Sequence, residues 1–293
     1  MVNFENNIKK LYSMMDKCTI CPRKCGVNRN YGQRGFCKVS DKIFVASCNT
    51  HFGEEPPISS KKGSGTIFFS GCTLGCVFCQ NYPISQFCNG KETNVENLVK
   101  MMLDLQNRSA HNINFVTPTH YSAQIVKSVY IARKKGLMLP ILYNCSGYED
   151  IETLKLLEGT VDIYLPDIKY SNNEIAFKYS GIKNYVEINQ VALKEMKKQV
   201  GDLIVDANGV AQRGLIVRHL VLPGNIENSK KALDFVIKEL SKDTFVSLMA
   251  QYHTAHKSNK FRELSRSLKK EEYEDVTNYL KDLNLENGWV QDL

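Results

Sequence analysis

Thr66-Ile67-Phe68-Phe69-Ser70-Gly71-Cys72-Thr73-Leu74-Gly75-Cys76-Val77-Phe78-Cys79-Gln80-Asn81 joins a short apolar run to a turn carrying three cysteines. The run 66–70 has the length and aromatic content of a buried strand. Cys72, Cys76 and Cys79 follow it at spacings of three and two residues. Thiolates so spaced on a loop can hold three irons of a cubane cluster, and they supply no fourth ligand. Iron–sulfur clusters are normally held by four cysteines. The loop therefore either leaves one iron open to bind and activate a small molecule or borrows a ligand from elsewhere.

Beyond this stretch, apolar segments of strand length recur at 113–117, 140–145, 163–166, 215–222 and 244–249. Helical patterns lie among them at 94–107, 122–135, 148–157, 173–179, 185–200 and 229–242. Alternation of this kind indicates a parallel sheet with crossover helices. Six βα units without a dinucleotide glycine fingerprint at the first turn predict an α/β fold with a partial (β/α)6 TIM-like barrel, not a Rossmann sheet. Asn94 and Ser229 read as helix N-caps and Gly136 as a helix stop. Residues 1–60, irregular and rich in Cys, Gly, Pro and Asn, read as an N-terminal cap, and 61–255 as the barrel. A C-terminal helical tail is expected over 256–293, on the periodic set Leu264, Leu268, Tyr273, Val276, Leu280 and Leu283.

The 293 residues suffice for one large or two modest domains with a real core. No stretch has the pattern of a secretory signal, and the longest apolar runs are strand-sized, too short for a membrane span. Ten cysteines in such a chain point to metal binding or catalysis in a reducing cytoplasm, not to disulfides. The net charge of +7 comes from lysines scattered among acidic residues, the pattern of solvated helix faces and not of a nucleic-acid footprint.

Catalytic groups of parallel barrels gather at the C-terminal ends of strands. Here those ends read as the cysteine loop, Thr117-Pro118-Thr119-His120, Asn144-Cys145-Ser146-Gly147, Pro166-Asp167-Ile168-Lys169, Pro223-Gly224 and Gln251-Tyr252-His253. Polar groups at every strand end predict one shared, ligand-sized mouth.

Gly71-Cys72-x3-Cys76-x-Phe78-Cys79 resembles the C-x3-C-x-aromatic-C signature of the radical S-adenosylmethionine superfamily. Cys79-Gln80-Asn81, Asp167-Ile168-Lys169 and Arg218-x4-Pro223-Gly224 resemble motifs of its pyruvate formate-lyase activating enzymes. An uncharacterised branch of that group shares three longer stretches with the chain. These are Cys21-Pro22-Arg23-Lys24-Cys25-Gly26-Val27, the run from Gly214 to Gly224, and Met249-Ala250-Gln251-Tyr252.

The resemblance implies that Cys72, Cys76 and Cys79 hold a 4Fe-4S cluster whose open iron binds S-adenosylmethionine. Reductive cleavage would then give a 5′-deoxyadenosyl radical for hydrogen abstraction. The resemblance places Phe78 against the adenine, Asn144 and Ser146 at the ribose, and Lys169 at the methionine carboxylate. Asn81, His120, Asp167, Arg218 and His253 join them as cofactor contacts. Thr117-Pro118-Thr119 stands where the superfamily often has Gly-Gly-Glu, so amino-group recognition falls to the hydroxyls of Thr117 and Thr119 or to backbone carbonyls. An electron donor such as a flavodoxin or ferredoxin is implied. So is a protein substrate, a glycyl radical enzyme to be activated. Two other readings stand beside this one: radical modification of a small molecule or RNA, and, in a different class, a zinc-ribbon nucleic-acid-binding protein.

A second set, Cys18-x2-Cys21-x3-Cys25-x11-Cys37, supplies four thiols within twenty residues. Four cysteines close a coordination sphere, as a structural zinc or an auxiliary iron–sulfur cluster requires. Zinc suits a short cap with little core of its own. Between cap and barrel, His51-Phe52-Gly53-Glu54-Glu55-Pro56-Pro57 reads as a stiff linker, with Glu54 a candidate substrate contact.

Overall fold

The computed structural model describes residues 3–285 and 287–292. Helix α1 (Phe4–Ser13) is followed by strand β1 (Ile43–His51), one-turn helix α2 (Pro56–Ser59) and strand β2 (Ser64–Phe69). After the cysteine loop come α3 (Tyr82–Ser85) and a short strand β3 (Lys91–Thr93). A regular alternation then begins with α4 (Val95–Asn107), β4 (Ile113–Val116), α5 (Ser122–Lys134), β5 (Ile141–Cys145), α6 (Ile151–Leu157) and β6 (Ile163–Pro166). It continues through α7 (Asn173–Ser180), α8 (Tyr185–Val200), β7 (Ile204–Val205), β8 (Ala211–Leu220), α9 (Ile226–Phe235), β9 (Phe245–Met249), α10 (Lys270–Asp282) and β10 (Gly288–Val290).

The sheet order is β10-β9-β8-β6-β5-β4-β2-β1-β3, with β7 beside β8. Strands β2, β4, β5, β6, β8 and β9 are parallel neighbours in chain order, the six expected barrel strands. Among the described residues the two outer strands do not pair, so the barrel is partial.

Both faces of the parallel strands are covered, and β5 and β6 are buried at every position. The two-residue period of a strand divides their side chains. Tyr143, Tyr164, Leu215 and Val217 pack outward under the helices, with Leu193, Met196 and Leu233. Leu142, Ile163, Leu165 and Ile216 point inward and meet Ile58 of α2, which closes the base of the barrel. The Asn112 side-chain amide fixes this plug by donating to the Ile58 carbonyl (2.9 Å). With the base filled, the inward positions further along the strands are left to line the mouth.

Several local expectations change. Residues 1–60 are not irregular throughout: α1, capped by the Asn3 side chain, packs on α5 and α6, and β1 pairs along β2. Ser, Cys, Asn and Thr dilute the apolar alternation of β1, which hides it in the sequence. Asn94 caps α4 as expected, accepting from the Asn97 amide (2.9 Å), and Gly136 has a positive φ of 94°. Ser229 is no cap, because α9 begins at Ile226 and the Ser229 hydroxyl lies 2.8 Å from His219 Nε2. The tail helix is shorter than its apolar period, and β10, which that period does not signal, runs parallel to β9.

Candidate functional site

A cavity of about 430 Å³ opens at the C-terminal ends of the parallel strands. Cys72, Cys76, Phe78, Cys79, Asn81, Thr117, Asn144, Ser146, Asp167, Lys169 and Arg218 all line it.

The cysteine loop is tied down from every side. The Gly71 amide donates to the Ile84 carbonyl (3.0 Å), Val77 to Tyr179 (2.9 Å) and Lys257 to Val77 (2.8 Å). Gly71 has φ of 86°, and a Cβ there would stand 2.6 Å from the Cys37 carbonyl, so no other residue fits. Each sulfur already meets a group that can donate to it. The Leu74 amide points to Cys72 Sγ (3.3 Å), the Ser180 hydroxyl to Cys76 Sγ (3.2 Å), and Ser85 Oγ lies 3.1 Å from Cys79 Sγ. Burial pushes all three thiols up, and the Lys169 charge opposes this at each.

Across the cavity, Arg218 gathers its neighbours. Its Nε is 3.1 Å from Asp167 Oδ1, one terminal nitrogen donates to Asn144 Oδ1 (2.6 Å), and the other lies 3.4 Å from Glu54 Oε2. Lys169 Nζ meets the other Asp167 oxygen at 2.6 Å. Burial works against both charges of this pair. At Asp167 the adjacent Lys169 and Arg218 outweigh it and hold the carboxyl below the usual range. At Lys169 the Asp167 carboxylate and Cys76 outweigh it and hold the ammonium above its ordinary value. The Glu54 carboxyl is pushed up by burial despite Arg218. The result is a polar wall with two fixed cations facing the thiol loop.

Three expected site residues lie outside the cavity. Thr119 is buried and donates to Glu149 Oε1 (2.7 Å), a carboxyl that burial raises to about 8. His120 is buried behind the loop, with Nε2 2.9 Å from the Ser70 carbonyl. His253 is exposed on the segment after β9, and Gln251 faces the cavity in its place. The amino-group role expected for the threonines thus rests on Thr117, which adopts a φ of 57° at the mouth. That conformation is strained for a β-branched residue and turns its backbone away from the strand path. Glu54 belongs to the wall and not to a solvated linker; Met249 and Gln80 also line the cavity. Cys145 lines it too.

The second cysteine set converges directly behind the loop. Cys18, Cys25 and Cys37 lie near Cys21, and burial pushes the Cys21 and Cys37 thiols up. Arg23, between Cys21 and Cys25, donates to the carbonyls of Thr73 (3.0 Å) and Leu74 (2.9 Å) in the cysteine loop. It also donates to those of Ser180 (3.1 Å) and Gly181 (3.4 Å) at the end of α7. Among the described residues, no three His, Cys, Asp or Glu side chains stand close enough to share a single metal ion.

A family model described as the Radical SAM superfamily matches residues 66–236. The chain is 31% identical over 287 residues to an uncharacterized protein of Methanocaldococcus jannaschii, covering 94% of this chain and 77% of that protein. It is 25% identical over 236 residues to the pyruvate formate-lyase-activating enzyme of Clostridium pasteurianum, covering 74% and 90% respectively. Among solved structures, methylornithine synthase (PylB) superposes with a TM-score of 0.51 at 15% identity, over 98% of this chain and 74% of that one. Streptococcus suis SuiB bound to S-adenosylmethionine superposes at 0.51 with 13% identity, over 75% of this chain and 48% of that one, so the chain spans about half the length of SuiB. These two likenesses establish the partial-barrel fold.

Proposed function

Because the chain belongs to the radical SAM superfamily, we propose that Cys72, Cys76 and Cys79 hold a 4Fe-4S cluster and that the cavity beside them receives S-adenosylmethionine. Together these groups supply, when bound, a 5′-deoxyadenosyl radical that abstracts hydrogen from a substrate. One observation carries the reading: three thiols share a cavity wall, each already met by an amide or hydroxyl that can donate to it, opposite two fixed cations. Thiolate ligands need such donors, and a cavity of about 430 Å³ suits a cofactor-sized molecule.

The chain's own residues divide the remaining work. Asp167 keeps Lys169 charged and aimed into the cavity, where an ammonium suits a carboxylate. Arg218 occupies the Asn144 side-chain oxygen, so that the Asn144 NH2 group is left to donate to a ribose hydroxyl. Phe78 is wedged edge-on between Tyr170 and Tyr179, a rigid apolar wall for an adenine ring. Thr117 and the backbone at its strained turn receive the methionine amino group. Asn81 and Ser146 complete the rim. The four cap cysteines hold a second thiolate-bound metal group.

The substrate of this reading is a protein carrying a glycine to be activated, supported by the similarity over 90% of the clostridial activating enzyme. Electrons come from a flavodoxin- or ferredoxin-type donor in the cytoplasm. No helix among the described residues is long and apolar enough to cross a membrane. The zinc-ribbon alternative finds no support in the charge distribution, since Lys24, Lys42, Lys155, Lys178, Lys194 and Lys230 are each paired with a carboxylate.

The test is anaerobic iron and sulfide analysis of the wild type and of a Cys72→Ala/Cys76→Ala/Cys79→Ala variant. The variant is expected to lose about four irons together with reductive cleavage of S-adenosylmethionine. An unchanged iron content would remove the loop from the reading.

A further inference from the structure

The cap cysteines and the cysteine loop touch, and the contact runs through one side chain. Arg23 belongs to the short bridge between Cys21 and Cys25, and its guanidinium is spent entirely on four backbone carbonyls. Two of these lie in the loop between Cys72 and Cys76, and two at the end of the helix that supplies Ser180 to Cys76. The Phe36 ring stacks on Arg23 at 3.7 Å and abuts Gly75 of the loop. On the other side, the Cys37 carbonyl rests against Gly71. Whatever fixes Cys21, Cys25 and Cys37 therefore fixes the frame on which the loop is held.

Two observations identify what fixes them. Arg29 is fully buried beside Cys37, and two of its nitrogens donate to the Ser40 carbonyl. Among the described residues its remaining nitrogen has no hydrogen-bond partner. A buried cation needs a counter-charge, and a metal group ligated by four thiolates provides a net negative one. Cys18 and Cys25 both lie near Cys21 and Cys37, yet among the described residues no three of them stand close enough to share a single ion. A four-iron cluster spreads its thiolates more widely than a single ion does.

We propose that Cys18, Cys21, Cys25 and Cys37 bind a second four-iron iron–sulfur cluster, and that this cluster, acting through Arg23, is required for the loop to retain its own. Arg23 is a positioning residue: its donors go to carbonyls of the loop and of the end of α7, and none goes to a cap cysteine, so its loss acts on the loop. The proposal rests on the reading of the loop given above.

Metal content separates the possibilities without any turnover assay. The purified full-length protein should carry about eight irons and eight sulfides. The Cys72/Cys76/Cys79→Ala variant should keep about four of each. A Cys21→Ser/Cys25→Ser variant, its folding verified by circular dichroism, should lose both sets. Arg23→Ala keeps every cysteine. It should release loop iron to a chelator roughly 10 to 100 times faster than the wild type, the factor expected for losing hydrogen bonds from a charged donor, while cap iron is released at the wild-type rate. Arg23→Lys should restore part of the difference. Zinc without sulfide in the triple-alanine variant would overturn the second cluster. Wild-type iron release from Arg23→Ala, or full loop iron in Cys21→Ser/Cys25→Ser, would overturn the dependence. About four irons in both the wild type and the triple-alanine variant would support the second site and overturn the reading of the loop, so the two failures are distinguishable.

Discussion

Lys169 stands with its ammonium 2.6 Å from Asp167 and its field on Cys76, at the point where a ligand carboxylate would complete its coordination. Lys169→Ala should weaken S-adenosylmethionine binding roughly 10- to 100-fold, the range for losing a charged hydrogen bond, with iron content unchanged. Calorimetric titration of the reconstituted protein checks this, and unchanged affinity would remove Lys169 from the site. Asp167, Lys169 and Asn144 could be found in the sequence because they are polar residues at the ends of apolar strands, whereas Arg218, inside its strand, was found only through the resemblance of Arg218-x4-Pro223-Gly224 to a family motif. Glu54 could not be placed there. It sits between Gly53 and two prolines, a solvated setting by composition, and its burial depends on Arg218, 164 residues away. His253 shows the opposite error: a histidine one strand-end too far along, on backbone that has already turned out to solvent. Sequence position gives the distance along a strand, but not which way the chain leaves it.

At the level of elements, α2 and α7 perform unlike tasks at opposite ends of the barrel. Ile58 of α2 is fully buried among Leu142, Leu165 and Ile216, so Ile58→Ala should destabilise the fold by about 2–5 kcal/mol. Denaturant unfolding measures this, and a loss below about 1 kcal/mol would mean that α2 is no plug. The end of α7 brings Ser180 to Cys76 and offers the Tyr179 carbonyl to Val77. Hydrogen bonds to cluster sulfurs are among the factors that set reduction potential. Ser180→Ala, which removes one, should make the loop cluster harder to reduce at unchanged iron content, as followed by a redox titration with electron paramagnetic resonance. A potential that does not move, or moves upward, would count against this hydrogen bond. Helix α7 was legible from its period, whereas α2 lay hidden in a stretch that reads as a stiff linker. What α7 does was not legible, because Ser180 reads in sequence only as the last residue before Gly181.

For the molecule as a whole, two buried histidines set an acid limit. Burial lowers His120 to about 3 and His219 to about 4, from an ordinary 6.5. Both are neutral in the folded state, whereas the unfolded chain takes up protons below pH 6.5. Stability is therefore complete above that pH and falls as the pH drops towards the folded values. At pH 5 the loss is about 2 kcal/mol for each histidine. Urea unfolding at pH 7.5 and 5.0 should show it, and His120→Gln should remove about half; a flat profile would contradict the assignment. The six-strand parallel order was legible because each strand pairs with the next in the chain, whereas the cap's place against the loop was not, because it depends on Arg23 meeting carbonyls 50 and 157 residues away. Those same long spans impose a schedule on biogenesis. The Tyr179 carbonyl and the Lys257 amide that hold Val77 are made roughly one hundred and one hundred and eighty residues after the loop itself. A nascent chain therefore displays its iron ligands well before it has the supports that hold them, and the finished loop geometry exists only once translation has passed Lys257.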